Sequence, residues 1–183
     1  KTRWKPPYKD DEKADPWGYL SVIDNVVIGS ITIPSHTAER VFPDSDMKKV
    51  LSESRALFAI DSTTGKTLWR HDAKSAVRHN AIAAGDGHIY FIDRALAEFD
   101  TGRPVPYKHP YGELVCLDLR TGKEIWRQTD DIYGTTLAFS EKHNVLVMSY
   151  HKWVWSPRSE FGGRLAGFDG TTGERKWNAK GDY

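Results

Sequence analysis

A single cysteine among 183 residues leaves no partner for an internal disulfide. It also leaves no thiolate pair for a zinc site. Cys116 lies inside an apolar run, where a lone thiol is expected to pack as a small hydrophobe. One thiol is compatible with a reducing or an oxidising compartment, so cysteine usage does not assign the location. Long hydrophobic runs are missing too, and nothing approaches the roughly 18 apolar residues of a membrane-spanning helix. Net charge is only +1, from 26 basic and 25 acidic residues that are interspersed along the chain. The basic stripe that marks nucleic-acid binding is therefore absent, and no nucleic-acid partner is expected.

What the chain does have is repetition. Asp, three residues, Gly, three residues and Trp recur as Asp61–Gly65–Trp69, Asp118–Gly122–Trp126 and Asp169–Gly173–Trp177. The flanks agree as well, since residues 57–69, 114–126 and 165–177 align throughout. Lys1 to Lys5, around Trp4, line up with Lys66 to Arg70 as a fourth, partial copy. The tryptophans Trp4, Trp69, Trp126 and Trp177 stand 65, 57 and 51 residues apart. A four-stranded propeller blade takes roughly 40–45 residues, so insertions account for the excess.

Each copy has a direct physical reading. Leu57 to Ile60 is apolar without alternation, as in a strand covered on both faces. The Asp opens a tight hairpin, its carboxylate accepting backbone N–H groups, and the Gly supplies the left-handed conformation that closes it. The next strand ends on Trp, a large anchor for packing against the neighbouring repeat. Turn chemistry thus accounts for Asp61, Asp118 and Asp169 without a catalytic role.

The upstream half of each blade follows the same logic. Leu20–Asp24 and Val26–Ile33 form a strand pair around Asp24–Asn25. Ala81–Ala84 and His88–Ile92 flank Gly85–Asp86–Gly87, and Thr136–Phe139 and Val145–Met148 flank Glu141–Asn144. The fold expected is all-β, with three four-stranded antiparallel blades. Residues 1–16 end a preceding blade, 17–69, 70–126 and 127–177 are blades one to three, and 178–183 open the next connection. Three blades do not close a ring, so the chain is expected to be part of a larger ring of 7–8 blades, with the remaining blades in the same parent chain.

The insertions 34–54, 94–112 and 150–163 all join the second and third strands of their blades. Those loops emerge on the same face as the connections between blades, and the opposite face carries only tight turns. A rigid scaffold with its long loops on one face is built for binding there. The inter-blade connections add His71, Asp72, Arg78, His79 and Asn80, then Asp130, Asp131, Tyr133 and Gly134. Trp17–Gly18–Tyr19 precedes the first blade and echoes Tyr133–Gly134; glycine at a strand start also permits close packing. The insertions bring Tyr111, Trp153 and Trp155, beside Arg103, Lys108, Lys152 and Arg158. The ligand-binding candidates are therefore Arg78, His79, Asn80, Tyr133, Trp17, Tyr111, Trp153 and Trp155, for a protein, peptide or glycan. Trp153 and Trp155 equally suit the continuation of a strand packed on its insertion. His71 and His79 lie in an irregular connection, and His36, His109 and His151 in the insertions. None has zinc-site spacing, and no metal ligand set is assigned. A short helix is expected from Asp46 as N-cap through Met47–Leu51.

The repeat, Leu–x–Ala/Cys/Gly–apolar–Asp–x–x–Thr–Gly–Lys/Glu–x–x–Trp, resembles that of the PQQ-like β-propellers. This superfamily includes quinoprotein alcohol dehydrogenases and BamB-type assembly lipoproteins, and the likeness covers essentially the whole chain. It implies a periplasmic or extracellular location. For a dehydrogenase it would imply PQQ, a Ca²⁺ held by carboxylate and amide oxygens, a catalytic Asp and often a vicinal disulfide. The vicinal cysteines are absent; Asp130 or Asp131 is the candidate base and Asn80 a candidate oxygen ligand. No complete catalytic set is present, so a binding scaffold is the leading expectation and a segment of a PQQ/Ca²⁺-dependent oxidoreductase the alternative. A fully buried repeat tryptophan should cost on the order of 3–5 kcal/mol when replaced by alanine; chemical denaturation of Trp69→Ala checks this.

Overall fold

In the computed structural model, residues 16–33, 37–39, 49–51, 53–94, 112–149 and 164–180 are described. Among them are β1 (Trp17–Ile23), β2 (Val26–Thr32), β3 (Thr37–Glu39), β4 (Lys49–Leu51) and β5 (Glu53–Asp61). There follow β6 (Thr67–Gly85), β7 (His88–Asp93), β8 (Glu113–Asp118) and β9 (Glu124–Gln128). The last four are β10 (Thr136–Ser140), β11 (Val145–Ser149), β12 (Arg164–Asp169) and β13 (Arg175–Lys180). The fold is all-β and antiparallel throughout, as the repeat predicts. Sheet order is β1-β2-β5-β6-β7-β8-β9, with β10-β11-β12-β13 forming a second sheet.

The seven-stranded sheet is two blades joined through one strand. The first part of β6 pairs with β5 and completes blade one, while its last part pairs with β7 and begins blade two. The irregular connection expected around His71 to Asn80 is therefore continuous extended backbone. At its centre Val77 is paired on both sides, with Ser54 and with Asp93. Those two pairings draw the connection into the sheet, and the register shifts on either side of them take up the change of direction. The expected helix over Met47–Leu51 is not formed at its C-terminal end, where Lys49–Leu51 is β4, paired with Thr37–Glu39. A segment of five residues is too short to hold a helix by itself, and β-branched Val50 fits a strand.

Unbroken apolar runs arise because the middle blade is covered on both faces. Ile89, Phe91, Val115 and Leu117 face Val26, Ile28, Leu57 and Ala59 of blade one. Alternate residues on the same strands, Tyr90, Ile92, Leu114 and Cys116, face Leu137, Leu146, Met148 and Phe168 of blade three. Each of the Val, Leu, Ile, Phe and Met side chains among them, fully buried, stabilises by about 1.5–3 kcal/mol relative to exposure.

The turns carry the blade contacts. Asp61 Oδ1 accepts from Thr63 N at 3.1 Å and Thr64 N at 2.8 Å, and Asp118 and Asp169 hold their turns in the same way. These bonds draw all three carboxyls below the ordinary range, led by the Thr64 amide for Asp61, the Thr121 hydroxyl for Asp118 and the Lys176 ammonium for Asp169. Gly65, Gly122 and Gly173 take φ of 70°, 67° and 73°. Trp69 Nε1 donates to the carbonyl of Leu119 at 2.9 Å, and Trp126 Nε1 to that of Gly170 at 3.0 Å. A Cβ on Gly122 would lie 2.5 Å from Trp69 Cγ, and one on Gly173 2.6 Å from Trp126 Cδ2. So each indole lies on the turn of the following blade. Trp177 differs, at 40% exposed. Opposite each tryptophan in the neighbouring strand stands a small residue: Ala59, Cys116 or Gly167. Burial there pushes the Cys116 thiol up to about 12.

Gly87, with φ +72° and nothing near its missing Cβ, is an internal control for Gly122. Gly87→Ala should show the left-handed penalty alone, about 1–2 kcal/mol. Gly122→Ala should exceed it by about 1–3 kcal/mol because the methyl also meets the Trp69 ring. Urea unfolding of the two variants measures the difference.

Candidate functional site

The face bearing the inter-blade connections is built on buried polar residues. Glu53, the first residue of β5, is the register partner of Arg78 in β6. Glu53 Oε1 and Arg78 Nε lie 3.0 Å apart, with side chains only 3% and 13% exposed. Truncating one member of so buried a pair leaves an uncompensated charge, at about 3–5 kcal/mol. Next in β5, the Ser54 hydroxyl lies 2.9 Å from His79 Nε2 and 2.8 Å from Ser30 Oγ, which accepts from the Tyr19 amide. Gly18 closes over this group: a Cβ there would sit 2.2 Å from the His79 ring. Ser54 is 0% exposed, so the Ser–His contact offers no nucleophile to a substrate.

Asp93, the last residue of β7, and Arg94, which follows it, gather the middle of β6. The Asp93 carboxylate accepts from the amides of Lys74 at 2.6 Å and Ser75 at 3.0 Å. The Arg94 amide donates to the Ala76 carbonyl, and its guanidinium to the Tyr133 carbonyl at 3.2 Å. The connection into blade three is thereby tied to blade two. Its own acid, Asp131, sits at φ 49° and is bonded by Arg164 through Nη1 and Nη2, one to each carboxylate oxygen. Arg175 adds a contact to the same carboxylate at 3.4 Å and donates to the Asp130 carbonyl. The Arg164 guanidinium also lies 3.7 Å over the Tyr133 ring, whose hydroxyl is pushed up by burial.

The candidates thus separate. Arg78 and His79 lie side by side with Glu53 and Ser54, and Tyr133 joins Arg94 and Arg164. Trp17 packs edge-on against Phe58, ring centroids 5.3 Å apart, and Asn80 is exposed on β6. Tyr111, Trp153 and Trp155 lie outside the described residues, as do His36, His109 and His151. Glu53, Ser54, Ser30, Asp93 and Arg94 were not among the candidates. Asp93–Arg94 breaks directly into the apolar run that starts at Ile89, a local signal; Glu53 and Ser54 carry none until β6 is paired beside them.

A calcium-bound quinone asks for clustered oxygen ligands and uncommitted cations. Among the described residues no three acids or histidines converge on a metal position. Arg78 is turned to Glu53, and Asp131 to two arginines. These residues do not by themselves compose such a site.

A family model described as "Outer membrane protein assembly factor BamB" matches residues 56–182, well over half of the chain. The chain belongs to this PQQ-like β-propeller family. Polyvinylalcohol dehydrogenase from a Pseudomonas species is 30% identical over 100 residues, covering 52% of the chain and 14% of that protein. The dehydrogenase subunit of Acetobacter aceti alcohol dehydrogenase (quinone) is 28% identical over 166 residues, covering 86% of the chain and 21% of that protein. Among solved structures, a europium-containing methanol dehydrogenase superposes with a TM-score of 0.53 at 14% identity, covering 90% of the chain and 24% of that structure. The last likeness speaks for the fold alone. The PQQ-like module spans about a fifth of the length of these relatives. Among its described residues no helix is long and apolar enough to cross a membrane.

Burial lowers the proton affinity of His79 below the ordinary value of 6.5. The unfolded chain then binds protons more readily than the folded one, so stability present above pH 6.5 is lost as pH falls towards the folded pKa. His71, also depressed by burial, adds to the same limb. Urea midpoints should fall over this range, and His79→Gln should make the fall shallower.

Proposed function

We propose that the chain is a noncatalytic binding module of a larger PQQ-like propeller, with 17–69, 70–126 and 127–177 as its repeat units. It engages a protein, peptide or glycan through the face that carries the inter-blade connections and insertions. One observation carries this reading: two of the ionisable candidates on that face, Arg78 and Asp131, are held in ion pairs with other side chains. Arg78 is paired with Glu53, and Asp131 with Arg164 and Arg175. Such pairs fix the shape of a surface, whereas a general base needs a carboxylate within reach of the proton it abstracts. The description of the matching family, an outer membrane protein assembly factor, supports a protein partner and an extracytoplasmic location.

The names of the curated relatives favour a second reading, a segment of a PQQ- and Ca²⁺-dependent oxidoreductase. The two are separated by titrating the full-length parent protein with PQQ in the presence of Ca²⁺, following tryptophan fluorescence, with an unrelated quinone as control. The binding-module reading expects no saturable, Ca²⁺-dependent quenching. Saturable quenching would put the oxidoreductase in its place, and loss of that quenching in Asn80→Ala or Asp130→Ala would locate the cofactor on this module.

A further inference from the structure

The two inter-blade connections carry charges of opposite sign at the same place. Five residues beyond the indole stands Lys74 after Trp69 and Asp131 after Trp126. Lys74 Nζ lies 2.9 and 2.8 Å from the two carboxylate oxygens of Glu113, the first residue of β8. Asp131 pairs with Arg164, the first residue of β12, and with Arg175, the first residue of β13. The position that Arg175 occupies in blade three is held in blade two by Glu124, the first residue of β9. All three positions reverse sign together, from Lys, Glu and Glu to Asp, Arg and Arg.

A fourth position adjusts to the reversal. Arg127 bonds Glu124 at 2.6 Å and also reaches Glu113, placing a cation where two acids meet. Its counterpart in blade three is Asn178, whose carbonyl oxygen accepts from Arg175 at 3.0 Å. Where the neighbours are two arginines, the chain uses a neutral acceptor.

The indole contact does not distinguish the two junctions. In both, Nε1 donates to the carbonyl of the residue after the turn Asp, and the ring lies on the turn Gly. A repeat whose hydrophobic joints are interchangeable needs another device to choose between neighbours, and a misplaced like charge is the usual one. We propose that these four-residue sets key each connection to the blade that follows it. The Lys74 connection seats against an acid-edged blade, and the Asp131 connection against an arginine-edged one. An exposed ion pair stabilises little. Selectivity comes from the difference between attraction at the right joint and repulsion at the wrong one.

The test transplants one set into the other junction of the full chain. Three variants are compared by thermal unfolding at low salt: Lys74→Gln, Lys74→Asp, and Lys74→Asp combined with Glu113→Arg, Glu124→Arg and Arg127→Asn. Lys74→Gln only loses the pair, whereas Lys74→Asp sets an acid against two acids. The aspartate variant should melt about 2–4 °C below the glutamine variant. The four-residue variant should recover most of that loss. The gap between the two single variants should close near about 1 M salt, where screening acts within about 3 Å. The proposal is overturned if Lys74→Asp melts no lower than Lys74→Gln, or if the transplanted set melts no higher than Lys74→Asp alone.

Discussion

An indole N–H reaching a carbonyl of the next repeat is the joint on which the whole arrangement depends. It requires a turn whose carbonyl faces outward and whose glycine leaves room for the ring. The Asp carboxylate supplies the first condition by gathering two amides of its own turn. Gly122 and Gly173 supply the second. The Asp, Gly and Trp of the repeat are thus one device distributed over two blades: the Trp of one blade is recognised by the Asp and Gly of the next. Deleting any of them loosens a joint rather than a strand.

The two ends of the blades are held by different physics. On the turn face the joint is the same at each junction, an indole set on a hairpin that is closed by its own local hydrogen bonds. On the connection face it is long-range and particular to each junction. There the buried Glu53–Arg78 pair, the Ser30–Ser54–His79 group and the Asp93 carboxylate position the single long strand that leads from blade one into blade two. These groups are costly to bury and stable only in company. Their presence at one end ties β5, β6 and β7 together where blade one passes into blade two.

Legibility from sequence follows the same division. The hairpins could be read because every bond that closes them is local, as from Asp61 to Thr64 and to Gly65, and because three copies report the same chemistry. The indole contacts cross 50 and 44 residues, yet repetition made their ends visible. Asp131 was visible as an acid in a connection, but its meaning depends on Arg164 and Arg175, 33 and 44 residues away. The continuity of β6 is hidden because His71 to Asn80 is largely polar and lacks alternation; its pairing with β5, and with Asp93 through Val77, makes it a strand. Lys49–Leu51 is a strand for a related reason, since its partner, Thr37–Glu39, lies across the insertion and leaves no local signal beside it.

Cys116 gains a particular meaning from its place opposite Trp126. A side chain had to be small there, as Ala59 and Gly167 are in the other blades, and a thiol satisfies that limit as well as a methyl group does. Fully enclosed and held almost entirely as the neutral thiol, it is shielded from alkylating and oxidising reagents while the middle blade stays shut. The rate at which it reacts is therefore set by how often that blade opens, and the one sulfhydryl of the chain serves as a clock for its most enclosed repeat.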